Sequence, residues 1–202
     1  MFPLGTPLVP GALLPLQIFE PRFHMMMSDV LAASEPEFGV VLIERGHEVG
    51  GGDIRAMVGT LTRIVDNKML SDGRRMVIGL GTRRIRIHEW LPEVIYPAAM
   101  VSEWPDETSH DVGSTELARI FDYLVEVSRL VARLGGPIPQ FEEIELSQDS
   151  THASFQMVAL APIGPADRQR MLVCEGAARR IELLEESLGD VEAACRFRLQ
   201  GA

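Results

Sequence analysis

The segment from Leu13 to Phe23, LLPLQIFEPRF, constrains the fold most strongly, because its apolar run contains two prolines. Proline has no backbone N–H and disfavours a helical residue before it, so the stretch around Pro15 is expected to be extended. Pro21 suits the first position of a helix, which places Glu20 at the cap, where a carboxylate meets the positive end of the helix dipole. The sequence therefore predicts an extended segment that turns directly into a helix.

The helix that follows has one apolar face. Its apolar residues recur at helical spacing, at Phe23, Met26, Met27, Val30 and Leu31, and Met25 lies on the opposite face. Met26 and Met27 are expected to fill the core under the helix. Methionine is soft and unbranched, so an exposed Met25 beside Phe19 or Phe23 would suit a groove that accepts unlike peptides. Both interpretations can hold together.

The chain divides into a β-rich part, residues 1–105, and a helical part, residues 106–202. In the first part, glycine and proline separate strand-like runs, which predicts an antiparallel meander closing into a small barrel or sandwich. In the second part the apolar spacing becomes helical, after a polar linker from Asp106 to Ser114, with Ser114 as a helix cap. Helices are expected over 150–161 and, interrupted near Gly176, from Asp167 onward. The predicted fold class is α+β, with a pseudo-barrel followed by a helical bundle.

Six motifs in the first half carry a resemblance to a known family. None suffices alone, because each is only an apolar strand or a turn, but their order and spacing are specific. They are FPLGTPLVPG (2–11), LLPLQIFEPRF (13–23), FGVVLIE (38–44), MVGTLTRI (57–64), SDGRRMVIGLGTRRIRI (71–87) and YPAAMVSEWP (96–105). Together they resemble the LON substrate-binding domain, the N-terminal domain of ATP-dependent Lon proteases, which also occurs as a stand-alone protein with a PUA-like fold.

Two positions depart from the family pattern. Phe23 stands where the family usually has a tyrosine, and Ile85 stands where an aromatic residue usually follows the arginine pair. Both side chains are apolar, so the expected fold is unchanged.

The lysine content argues against catalysis. Of 19 basic residues only Lys68 is a lysine, whereas a complete Lon protease needs one lysine in a phosphate-binding GxxxxGK[ST] loop and another as general base for its serine nucleophile. Lys68 follows Asn67 near an SDG turn, which indicates a solvated hairpin. We therefore expect a protein with no ATPase or peptidase activity and no catalytic residues.

Cofactor and metal sites are not expected either. The five histidines have no ligand spacing, and Cys174 and Cys195 belong to no CxxC or Cys/His array, which indicates two buried thiols. GLGTRR (79–84) contains a GxG, but another strand follows it, which favours a bulge or a close strand crossing over a dinucleotide site. No signal peptide, transit peptide or apolar span is evident, so we expect a cytoplasmic protein that does not bind membranes.

The one concentrated basic feature is formed by five arginines, Arg74, Arg75, Arg83, Arg84 and Arg86. An RNA-binding module of the PUA-like type is therefore the alternative function. Alternation with isoleucines is typical of the outer face of a half-buried strand, and Glu20, Glu44 or Glu89 are available as ion-pair partners. The net charge of −10, with 9 basic and 17 acidic residues after position 105, opposes binding of a polyanion.

The resemblance implies a non-catalytic module that binds unfolded or tagged protein segments, with a protease or a second copy of the chain as further partners. Apolar side chains of the partner would be buried in an uncharged groove between the two parts of the chain, with arginines at its rim orienting acidic or backbone groups. The candidate binding residues are Phe19, Arg22, Phe23 and Met25, and the candidate basic rim is Arg74, Arg83, Arg84 and Arg86. A small-molecule sensor or a hydrolase would instead require a deep pocket with convergent polar groups.

Overall fold

The computed structural model describes residues 1–46, 54–107 and 112–200. Most of the glycine-rich connection at 46–53 and part of the segment between Asp106 and Ser114 lie outside the described residues. The chain forms two compact units, Met1–Pro105 and Asp106–Ala202. In the described part of the chain, no helix has both the length and the apolar character needed to cross a bilayer.

The first unit contains six strands and one helix. In chain order they are β1 (Phe2–Leu4), β2 (Leu13–Ile18), α1 (Pro21–Ala32), β3 (Glu37–Arg45), β4 (Ile54–Met69), β5 (Arg75–Trp90) and β6 (Ala99–Glu103). The strands pair in the order β1-β3-β4-β5-β2, and β6 pairs with the second half of β5. The long strands β4 and β5 are therefore the centre of the sheet.

The sheet differs from the predicted antiparallel meander in two respects. β1 runs parallel to β3, with Phe2 opposite Val40, so the sheet is mixed. Among the described strands, no pairing joins β1 to β2 or β6, so the sheet is open where the sequence predicted closure. A three-residue strand such as β1 leaves no hydrophobic periodicity to detect, which is why its direction escaped prediction.

The GLGTRR segment forms the bulge that its glycines suggested, and it also lies close to the backbone of the loop between β1 and β2. Thr62 pairs with Gly81 and Leu61 pairs with Arg83, so Thr82 is an extra residue in a β-bulge. A Cβ at position 81 would lie 2.6 Å from the carbonyl oxygen of Val9, so only glycine allows this close backbone approach.

The core of the first unit is built around three phenylalanines. The rings of Phe2 and Phe23 stack with centroids 4.2 Å apart, and Phe38 lies 6.3 Å from Phe2. Met26 and Met27 are buried in the same cluster, as the helical spacing predicted. Since α1 contributes Phe23 and both methionines from one face, the helix is held to the sheet by apolar packing.

The second unit is helical. Its helices are α2 (Ser114–Arg133), α3 (Ser150–Leu160), α4 (Pro165–Val173) and α5 (Ala177–Gln200), with a short 3₁₀ turn at Phe141–Glu143. α5 packs against α2, α3 and α4. The cap of α2 is Gly113, not Ser114, and it makes no side-chain capping hydrogen bond.

A buried ion pair joins the start of this unit to α5. The Arg180 side chain is inaccessible to solvent, and its guanidinium binds both carboxylate oxygens of Asp106 at 2.8 and 2.9 Å. It also donates to Ser154 Oγ and the Met171 carbonyl, and it stacks over the Phe155 ring. Asp106, predicted as the first residue of a polar linker, is therefore part of the helical unit.

Candidate functional site

The junction of β2 and α1 is the centre of the candidate site. β2 ends at Ile18, α1 begins at Pro21, and Glu20 is the cap, as the two prolines predicted. Glu20 makes no side-chain capping hydrogen bond, and its carboxylate instead accepts from Arg22 Nε at 3.0 Å. Phe19, between strand and helix, has 61% of its surface exposed.

A loop after β5 is attached to the same helix. Arg22 also pairs with Glu93 at 3.3 Å, and Tyr96 donates to Asp29 at 2.6 Å. Met25 lies between Arg22 and Asp29 on one face of α1, because residues three and four apart are neighbours on a helix. The loop residues that make these contacts therefore place Val94 beside the exposed side of α1.

Four exposed apolar residues lie on this helix, just before it or in the attached loop, and we define them as the α1 surface: Phe19, Met25, Val94 and Ile95. The exposed fractions of Met25 and Val94 are 48% and 88%. A monomeric protein seldom exposes several large apolar side chains side by side, so a patch of this kind indicates an interaction surface.

Four of the charged residues next to the α1 surface neutralise one another. Arg22 pairs with Glu20 and Glu93, and Arg55 pairs with Glu93 at 3.1 Å. Two arginines and two glutamates thus form one chain of ion pairs without net charge. Attraction of a strongly charged partner is not expected here.

Phe23 has a different position from Phe19 and Met25. Only 3% of its surface is exposed, one ring face stacks on Phe2, and the Arg22 guanidinium lies 4.6 Å from its centroid. Helical periodicity places Phe23 on the same face as Met26 and Met27, and that face is turned to the sheet. We therefore assign Phe23 to the core and keep Phe19 and Met25 as candidate contact residues.

The candidate basic rim is largely engaged within the protein. Arg74 pairs with Asp72, and their hydrogen bonds hold the pKa of the Asp72 carboxyl below its ordinary value. Arg83 binds Glu37 and Glu103 at 3.0 and 2.6 Å. These partners are not the glutamates expected from the sequence, because the partner of each arginine depends on strand register and turn geometry.

The two remaining rim arginines share an aromatic partner. Arg84 is buried and donates to the Trp104 carbonyl at 3.2 Å. Arg84 and Arg86 lie 4.4 and 4.2 Å from the centroid of the Trp104 ring. The indole that could stack on a nucleic acid base is thus already in contact with two guanidinium groups.

Both tyrosine hydroxyls should lose their protons at a higher pH than tyrosines in an unfolded chain do. The hydrogen bond to Asp29 raises the pKa of Tyr96, and burial together with Glu192 raises the pKa of Tyr123 to about 12. At a pH of about 11 we expect less tyrosinate absorbance from the native protein than from the urea-unfolded protein, whose tyrosines titrate near pH 10. The contribution of the two tyrosines to the free energy of unfolding is fully present below pH ~10. It is lost as the pH rises through their pKa values in the native protein.

A Tyr123→Phe variant provides the control for this titration. It should remove the transition at the highest pH and leave that of Tyr96 in place. Equal absorbance of native and unfolded protein at pH ~11 would contradict the assigned hydrogen bonds.

In the described residues, no group of three or more His, Cys, Asp or Glu side chains is arranged to hold a metal ion. Cys174 and Cys195 are both buried and form no disulfide with each other.

The sequence as a whole can be compared with known families. The model of the ATP-dependent protease La (LON) substrate-binding domain matches residues 1–190. The chain belongs to this family. The match extends through most of the helical unit, so the LON domain model covers both units of this chain. No protein among the curated sequences matches this chain.

Solved structures show the same LON fold. A Lon N-terminal domain protein from Xanthomonas campestris is similar with a TM-score of 0.69 and 23% identity, over 92% of this chain and 95% of that one. The N-terminal domain of the Mycobacterium avium complex Lon protease has a TM-score of 0.63 and 15% identity, over 93% and 97%. At these identities the similarity shows the fold, a curled, mixed half-barrel sheet with helices.

Two residues of the α1 surface in this LON domain were missed from the sequence. Val94 and Ile95 lie in LPEVIYP, a segment between strands with a proline near each end. The available signal was an apolar pair in a loop, where the chain usually carries polar residues. Only the contacts of Glu93 and Tyr96 with α1 show that the loop carrying this pair is attached to the helix that carries Met25.

Proposed function

We propose that this LON-domain protein is a non-catalytic module that binds unfolded or tagged segments of other proteins through the α1 surface. The observation that carries the proposal is the exposure of Phe19, Met25 and Val94 on and beside one helix. Membership of a family of substrate-binding domains supports a protein segment as the ligand.

Binding would bury apolar side chains of the partner against Phe19 and Met25. A flexible methionine and an exposed aromatic ring can adapt to many sequences, which suits recognition of unfolded segments. The neutral chain of ion pairs at the border excludes solvent and adds little charge preference. The affinity should therefore depend weakly on salt concentration.

The test is capture of a permanently unfolded protein, reduced and carboxymethylated α-lactalbumin, by the full chain. The double variant Phe19→Ser, Met25→Ser should bind at least about tenfold more weakly, because truncation of central apolar anchors removes most of an interface's affinity. Both side chains are exposed, so circular dichroism should show an unchanged fold.

Phe197→Ser is the matched control, since Phe197 is exposed on α5 in the other unit. It should bind like the wild type. Wild-type affinity in the double variant would overturn the proposed location. The alternative, RNA binding by the arginine strands, would instead show affinity for single-stranded RNA that falls steeply with salt and is lost in Arg86→Ala.

A further inference from the structure

The helical unit contains a cavity of about 430 Å³. α2, α3 and α4 contribute to its wall, together with the two proline-containing turns that end α2 and α3. The residues on which the argument depends are Ser128, Ile138, Pro139, Leu160, Ile163 and Arg168. The volume lies within the range of roughly 300–1,000 Å³ typical of small-molecule sites.

The walls of the cavity are rigid and mostly apolar. The turns GGPIP (135–139) and PIGP (162–165) place two isoleucines and three of the chain's prolines around it. Proline fixes its own backbone, so these walls lose little entropy when a ligand binds. The sequence shows both turns only as helix breakers.

Arg168 is the charged group in this wall. Its Nη2 donates to the Ala161 carbonyl at 3.1 Å, while its Nε is buried and has no hydrogen-bond partner. Burial lowers the pKa of the guanidinium, but arginine remains charged at neutral pH. A half-buried cation whose buried Nε–H is unused favours an anion beside it.

Arg168 differs in this respect from five of the nine arginines of the helical unit. Those five are ion-paired with carboxylates, namely Arg119, Arg170, Arg179, Arg180 and Arg196. Residues 106–202 include 17 acidic side chains, so carboxylates are abundant. Among the described residues, however, no carboxylate pairs with Arg168. The counter-ion is therefore expected from outside the chain.

Ser128 is a second polar group in the same wall. Only 1% of its surface is exposed, and its hydroxyl has no hydrogen-bond partner. Inside a helix, a serine hydroxyl usually bonds to the carbonyl four residues earlier, which satisfies it locally. A buried hydroxyl without that bond, in the same cavity as Arg168, suits a ligand oxygen.

We propose that this cavity binds a carboxylate attached to an apolar body. The carboxylate lies against Arg168 and accepts a hydrogen bond from Ser128, and the apolar body packs against Ile138, Leu160 and Ile163. The planar guanidinium matches the geometry of a carboxylate. A dianion such as phosphate would place uncompensated charge among apolar walls, and a cation would be repelled.

Two sources present this chemistry: a free small carboxylate, and the C-terminal residue of a polypeptide. The proposal concerns the helical unit and does not depend on the α1 surface. A negative result for the cavity therefore does not bear on the α1 surface, and the reverse also holds.

The test uses the full chain and calorimetric titration with 4-methylpentanoate. Its neutral isostere, 4-methylpentanamide, should bind far more weakly. Arg168→Met keeps the apolar stem and should weaken carboxylate binding by about tenfold to a hundredfold, as expected for a hydrogen bond to a charged group. Arg168→Lys retains the charge and should recover part of the affinity. Arg129→Met, an exposed arginine on α2, should bind normally.

Ser128→Ala separates a binding role from a structural one. The free protein should be equally or more stable to urea, because the unpartnered hydroxyl is removed, while carboxylate binding weakens by about two- to tenfold. A loss of stability together with unchanged binding would show that the hydroxyl serves the fold, and would contradict its role in the site.

The sources are distinguished with acetyl-Gly-Gly-Leu. Tighter binding of this peptide than of 4-methylpentanoate identifies polypeptide C-termini, and the reverse order identifies free carboxylates. The peptide amide should not bind. Equal binding of acid and amide, unchanged affinity in a folded Arg168→Met protein, or no saturable binding of either acid would overturn the proposal.

Discussion

Replacing Arg180 by methionine is expected to lower the free energy of unfolding by about 3–5 kcal/mol. The substitution removes the guanidinium that binds the carboxylate of Asp106, which has 6% of its side chain exposed. It also removes the donor to Ser154 Oγ and to the Met171 carbonyl. The measurement is urea unfolding followed by helical circular dichroism.

Arg179→Met is the matched control, because the neighbouring arginine makes an exposed pair with Glu182. It should leave stability nearly unchanged, since exposed ion pairs contribute little. Adding Asp106→Asn to the Arg180→Met variant should restore part of the loss, because a neutral amide replaces the buried carboxylate. Equal stability of the Arg179 and Arg180 variants would show that the cluster does not hold the unit together.

Phe23→Ala should lower the free energy of unfolding of the first unit by about 3–5 kcal/mol. The substitution leaves a cavity between the Phe2 ring and the buried methionines of α1. The measurement is thermal or urea unfolding of the purified variant. Loss of protein binding in this variant would follow from loss of packing and would not place Phe23 in the binding surface.

Met25→Ala, two residues along the same helix, is the comparison. About half of its surface is exposed, and we expect a stability change within about 0.5 kcal/mol. If the two substitutions had equal effects on unfolding, the division of α1 into a core face and an exposed face would be wrong.

The two faces of α1 were predictable because they depend on local rules. Pro21 determines where the helix begins, and the spacing of Phe23, Met26 and Met27 determines which side is buried. Exposure of Met25 follows from the same spacing. The structure adds Val94, because a loop distant in sequence is attached to the helix through Glu93.

For the arginines of β5, local sequence patterns did not predict the interaction partners. Alternation predicted their faces, but Arg84 is buried against Trp104 because of β6, which pairs alongside. Arg83 reaches Glu37 because β3 and β5 flank the same strand, β4. The ion-pair partners therefore depend on the order of the strands in the sheet, and that order could not be predicted from the sequence.

The sequence by itself determined the family, the separation into β-rich and helical parts, and the strand-to-helix junction, because each depends on residues close together in the chain. The tertiary structure decided the open mixed sheet, the burial of Asp106 with Arg180, and the cavity beside Arg168. Those features depend on contacts between distant residues, such as the 74 positions between Asp106 and Arg180, and their energies exist only after the helices and strands pack.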